Sequence, residues 1–124
     1  MATNEQKSVN APDERRPFSH GRIDIVEIGG GHVGRSILEP GWRWSQDVKP
    51  IAKTASCQAS HFGFMLSGRM TVKMDDGTEI TYEPGDVAVI PPGHDAWVVG
   101  YDQVEFLDWA GAAHYAQESV PRAA

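Results

Sequence analysis

The chain has 124 residues, with eleven Lys plus Arg against seventeen Asp plus Glu and a single cysteine. That length makes one compact domain, large enough to fold without a disulfide or a structural metal. A formal charge of −6 with no basic cluster in the sequence argues against nucleic acid or an anionic membrane surface as partner, and apolar runs of only a few residues exclude a transmembrane helix.

Residues 1–19 are polar and charged and offer little to bury, which predicts a flexible arm rather than a secretory signal. From residue 20 to 111 the pattern predicts one β domain. Gly and Pro interrupt the chain every eight to twelve residues, and short runs rich in Val, Ile, Phe, Trp and Thr lie between them. The predicted strands are Arg22–Ile28, His32–Glu39, His61–Leu66, Arg69–Met74, Glu79–Tyr82, Asp86–Ile90, Trp97–Val99 and Val104–Trp109. Asp75-Asp76-Gly77 between Met74 and Thr78 marks a hairpin, because Asp-Gly takes positive φ readily. Asp86, after Pro84-Gly85, is placed to tie down its turn through backbone N–H groups. No stretch of a dozen residues carries a helical stripe, and evenly spaced short strands mean a sandwich or barrel. Residues 112–124 are predicted to form a short C-terminal tail.

The run Leu66-Ser-Gly-Arg-Met-Thr-Val, followed by Tyr82-Glu-Pro-Gly-Asp-Val-Ala-Val-Ile-Pro-Pro-Gly93, resembles the cupin superfamily. Gly85, Pro91 and Gly93 match the spacing of the second cupin motif, and Gly68 matches the closing glycine of the first. The resemblance covers about residues 22–110. It implies an all-β fold, a cupin-type jelly-roll β-barrel with its site in the barrel mouth. It also implies that the family's four metal-ligand positions fall on Ala55, Cys57, His61 and Ala96, so the usual residue is replaced at each.

Two of the replacements are themselves ligand types. Cys57 and His61 are separated by Gln58-Ala59-Ser60. On one straight strand they would stand about 13 Å apart, but across a turn they can converge. His94 follows Gly93 directly and shares parity with Ala96. One thiolate and two imidazoles suit zinc or iron and leave a coordination position open. A lone buried cysteine serving only as a small hydrophobe is the competing reading. His20, His32 and His114 are expected in solvent. Trp42 and Trp44 flank Arg43 on an extended segment and are read either as an aromatic wall over the mouth or as core. Arg43, Lys49 and Lys53 could meet an anionic ligand or simply be solvated.

If His61 faces inward, so do Gly63 and Met65, while Phe62, Phe64 and Leu66 face out; with Ala96 inward, Trp97 and Val99 face out too. Aromatics on the outside require a cover, which predicts a homodimer. His94-Asp95 is not expected to act as a dyad, because neighbours on a strand face opposite ways.

Two functions are compatible with these residues. One is a small-molecule-binding cupin whose pocket comprises Trp42, Trp44, Met65, Cys57, His61 and His94, with or without a divalent transition metal (zinc or iron) on the last three. The other is a metal-dependent enzyme, an oxygenase or isomerase acting on a small organic acid or sugar-like substrate. No nucleophile-plus-base arrangement, phosphate loop or nucleotide fingerprint is expected from the sequence. The single cysteine fits a reducing, cytoplasmic location.

Overall fold

The computed structural model describes residues 3–110 and 115–116. Among these residues nine strands form two antiparallel sheets around one core. β1 (Glu14–Phe18), β2 (Gly21–Ile28), β3 (Gly31–Leu38), β9 (Val104–Asp108), β4 (His61–Ser67) and β7 (Val87–Ile90) lie side by side in that order. β6 (Glu79–Tyr82), β5 (Arg69–Met74) and β8 (His94–Val99) form the second sheet. Between β3 and β4 the chain makes two four-residue helical turns, α1 (Trp44–Asp47) and α2 (Lys49–Ala52). Among the described residues the ladders form two facing sheets rather than one closed ring, and no helix is long and apolar enough to cross a membrane.

Alternation on β4 and β8 feeds the core. Along β4, His61, Gly63 and Met65 are buried while Phe62 and Leu66 are exposed; along β8, His94, Ala96 and Val98 are buried. The expected parity holds, and with it the inward direction of every candidate ligand on these strands. Glycine permits two of the closest approaches. A Cβ on Gly63 would lie 2.1 Å from the Leu107 carbonyl oxygen and 2.3 Å from the Phe106 ring, so any side chain there would drive β4 off β9. Gly68, at φ 72°, turns the chain out of the large sheet into the small one.

The amino-terminal segment departs from the expected arm. Glu14–Phe18 is a strand, paired residue by residue with Arg22–Ile25 and Gly21 of β2. Its side chains are mostly exposed, and much of its hold is electrostatic. Asp24 of β2 is fully buried and accepts hydrogen bonds from Arg15 Nε (2.7 Å) and Arg35 Nη2 (2.8 Å), with Arg22 also in ion-pair contact. The linear sequence gives no sign of this cation cluster, because its members come from three strands. Burial works to raise the Asp24 carboxyl, but the Arg35 and Arg15 hydrogen bonds and nearby positive charge hold it below the usual carboxylate range. The predicted tail lies almost wholly outside the described residues, as does His114.

Candidate metal centre

The site forms where the α2–β4 connection meets the start of β8. Cys57 pairs with His94 as an isolated antiparallel bridge: Cys57 N–H donates to the His94 carbonyl (2.7 Å) and His94 N–H to the Cys57 carbonyl (3.3 Å). Residues directly opposite on neighbouring strands project their side chains to the same face, so this bridge brings thiol and imidazole together. His61 then enters as the first residue of β4, after the three-residue connection Gln58-Ala59-Ser60. Its Nε2 lies 3.9 Å from Cys57 Sγ, and its ring meets that of His94 edge-on with centroids 5.2 Å apart. One ligand atom from each of Cys57, His61 and His94 falls within 4.8 Å of the others, and all three residues are buried.

Both imidazoles are oriented for coordination. His61 Nδ1–H donates to Asp108 Oδ2 at 2.5 Å, and His94 Nδ1–H donates to the Pro91 carbonyl at 2.8 Å. Each ring thereby keeps Nε2 for the cluster, the arrangement in which metal-bound histidines are usually held. Asp108 is itself fixed by the backbone N–H groups of Phe62 and Ala110. Two bonds of about 2.0–2.3 Å to one ion allow donor separations up to roughly 4.6 Å. The observed limit of 4.8 Å is close enough that small side-chain adjustments would bring all three donors onto one ion. The donor set, its burial and its anchored Nδ1 atoms fit a transition metal.

Electrostatics couple the three groups in the metal-free protein. Burial pushes the Cys57 thiol up, but hydrogen bonds from His61 and His94 and their charges outweigh it and bring it down to about 6. Burial pushes His61 down, but Asp108 and Cys57 outweigh it and raise it to about 9. Cys57, His61 and Asp108 thus form a line of thiolate, imidazolium and carboxylate. This corrects the expectation that the chain lacks a nucleophile-plus-base arrangement: thiol, imidazole and carboxylate come together from separate segments of chain.

A partly open cavity of about 30 Å³ adjoins the two imidazoles, space for little more than a water or two. Its wall is largely apolar and includes Trp42, Trp44, His61, His94, Phe106 and Tyr115. Both tryptophans are therefore wall and core at once, each 2% exposed. Met65, expected in the pocket, is fully buried and faces inward, but belongs to the surrounding core rather than the cavity wall, and Cys57 likewise does not form the wall. Tyr115 stacks edge-on against His61 (5.8 Å), and its carbonyl accepts from Arg16 Nη1.

Several smaller expectations resolve here. Asp86 accepts from Glu83 N–H at 2.8 Å, as a turn-tying residue should. Asp95 turns away from His94 and accepts from Ser45 N–H. His20 and His32 are not simply solvated: His20 Nδ1 lies 3.0 Å from Asp47, and His32 Nε2 lies 2.5 Å from the Ala110 carbonyl. Arg43 lies over the Trp97 ring at 4.4 Å and pairs with Asp95, so it faces away from the cavity. Asp108 is the functional residue that the sequence did not single out. The register Gly63↔Asp108 between β4 and β9 brings it within reach of His61 across 47 positions of chain.

The profile of the EutQ-like cupin domain matches residues 43–106. Among solved structures the chain is similar to a protein of unknown function from Rhizobium leguminosarum bv. viciae 3841 (18% identity, TM-score 0.61, covering 88% of this chain and 99% of that one). It is also similar to a sugar phosphate isomerase of the cupin superfamily from Silicibacter pomeroyi DSS-3 (22% identity, TM-score 0.58, covering 84% and 73%). A cupin-like protein from Thermotoga maritima MSB8 is a third (15% identity, TM-score 0.54, covering 82% and 80%). At these identities the likeness is one of fold. No curated protein matches the chain.

Proposed function

The chain belongs to the EutQ-like cupin domain family, and we propose that it is a small-molecule-binding cupin that holds a divalent transition metal on Cys57, His61 and His94. The observation that carries this is the convergence of a thiol and two imidazoles within 4.8 Å, buried and with both Nδ1 atoms already engaged. A thiolate with two imidazoles selects zinc or iron over hard cations. Cys57 supplies the one negative charge, so a loaded centre keeps a net positive charge that favours an anionic or polar ligand. The bound metal would act there as a Lewis acid toward a ligand oxygen. His61 and His94 hold their rings still through Asp108 and Pro91, and the apolar wall excludes bulk water. A reduced thiol suits a reducing compartment, in keeping with a cytoplasmic protein. Purification without an affinity tag, followed by elemental analysis, tests the reading: near-stoichiometric zinc or iron is expected, with its loss in Cys57→Ser and retained folding. Wild-type protein that takes up neither ion on reconstitution would sink it.

One observation favours a second reading, a metal-dependent oxygenase or isomerase acting on a small organic acid or sugar-like substrate. Three protein ligands leave a coordination position open, the arrangement of catalytic rather than structural sites, and a sugar phosphate isomerase shares the fold. Recovery of a bound compound unchanged after incubation with loaded protein separates binder from enzyme.

We further propose a homodimer. Phe62, Phe64, Val87, Val89, Leu107 and Trp109 lie on three adjacent strands, in register on one outer face, and Phe62, Val87, Val89 and Trp109 are 47–67% exposed. A second copy covering this face would remove the patch from water. Light scattering should give a particle of twice the 13.6 kDa chain mass, and Phe62→Glu should return it to one.

A further inference from the structure

The cavity beside the imidazoles contains one polar group without a partner. Trp42 is 2% exposed, lines the cavity, and its indole Nε1–H finds no acceptor among the described residues. A buried donor left unpaired costs about 1–3 kcal/mol, so such a group in an otherwise well-satisfied interior asks for an occupant. The other polar groups on the wall narrow the occupant's chemistry. The imidazole Nε2 atoms belong to the metal cluster. Tyr115 offers a hydroxyl that can donate or accept. Ser36 offers a second hydroxyl. The remaining wall, including Leu38, Val72, Ile90 and Phe106, offers no acceptor.

The wall's polar side chains thus offer one N–H that can only donate and two hydroxyls that can donate or accept. An anionic oxygen suits the indole, can also accept from either hydroxyl, and complements the net positive charge of a loaded centre. We propose that Trp42 Nε1–H is the positioning donor for one oxygen of a small carboxylate whose other oxygen faces the metal. The 30 Å³ cavity admits the carboxylate head and little more, so a larger acid would leave its remainder outside. This inference rests on the metal-site reading for the cation and adds to it the ligand class and the residue that selects it.

The test reads the indole itself. Zinc-loaded and metal-free wild-type protein, labelled with ¹⁵N, are titrated with formate while the four indole N–H resonances are followed, that of Trp42 being identified by its loss in Trp42→Phe. The expected result is a saturable downfield shift confined to Trp42 in the loaded protein. Formate, followed through the His61 and His94 ring resonances, should bind Trp42→Phe roughly ten- to a hundredfold more weakly, the loss of one hydrogen bond to a charged group. Zinc affinity should be unchanged. A Trp42 resonance that formate leaves in place in both forms, as a resident water would, overturns the inference whether or not zinc binds. Equal formate affinity in wild type and Trp42→Phe does so too. A Trp42 shift in the metal-free protein alongside failure to bind zinc would uphold the carboxylate handle and sink the metal centre.

Discussion

The large sheet buries two carboxylates, and they are handled in opposite ways. Asp24 is surrounded by the permanent charges of Arg15, Arg22 and Arg35. Asp108 has one titratable partner, His61, and two backbone N–H groups, and through that partner it reaches the ligand cluster. The first arrangement is electrostatically saturated: it fastens β1 and β3 to β2 and responds to little above the acid range. The second leaves the imidazole's far nitrogen free to respond to whatever enters. A buried acid with several fixed cations is a fastener, and a buried acid with one histidine is a means of setting that histidine's state.

The sharpest way to break the comparison is to neutralise each acid in turn. Asp108→Asn should lower zinc affinity by about ten- to a hundredfold, the usual consequence of removing a histidine's outer partner, with the fold retained. Competition against a chromophoric chelator would measure it. Asp24→Asn should leave zinc affinity unchanged and lower unfolding stability by about 2 kcal/mol. The cost stays modest because Arg15 and Arg22 are half-exposed and can return to water; chemical denaturation would read it. If the two variants exchanged phenotypes, the distinction would collapse.

pH sharpens it further. His61 is raised to about 9 in the folded chain, so its stabilising contribution is complete below its unfolded value near 6.5 and fades as pH rises through 9. Cys57 is lowered to about 6, so its contribution is complete above its ordinary thiol value and fades as pH falls through 6. The thiolate–imidazolium pair thus occupies the interval between them. In metal-free protein the ultraviolet absorbance of the thiolate should appear with a midpoint near pH 6 and move upward in His61→Ala. Metal binding should weaken as pH falls below about 9, where His61 takes up a proton, and further below about 6, where Cys57 does. Asp24, held low, should keep its contribution across this whole range and lose it only at acid pH.

The same contrast explains what the sequence could convey. Alternation marks β4, β7, β8 and β9 because those strands bury one face, and two of them carry His61 and His94. β1 reads Glu-Arg-Arg-Pro-Phe and buries almost nothing, so a signal based on burial cannot find it; its ladder with β2 and the contact with Asp24 hold it in place. The turns α1 and α2 are four residues each, too short for a helical stripe. Cys57 and His61 could be paired because a three-residue connection separates them. Asp108 needed the β4–β9 register, which no local pattern contains. One clue was available: Val104, Phe106 and Asp108 share parity, so an acid at the end of an inward-facing series was bound for the interior.

The bridge between Cys57 and His94 makes the spacing of those two positions a property of the main chain. Their Cα atoms are set by reciprocal amide–carbonyl bonds that do not depend on which side chains are attached. Positions 57 and 94 therefore behave as a socket, and different donors can be fitted to it without rebuilding the barrel. Exchanging Cys57 for histidine would shift the preference from soft toward borderline ions while the strands remain as they are, which makes this small scaffold a starting point for tuning metal choice one side chain at a time.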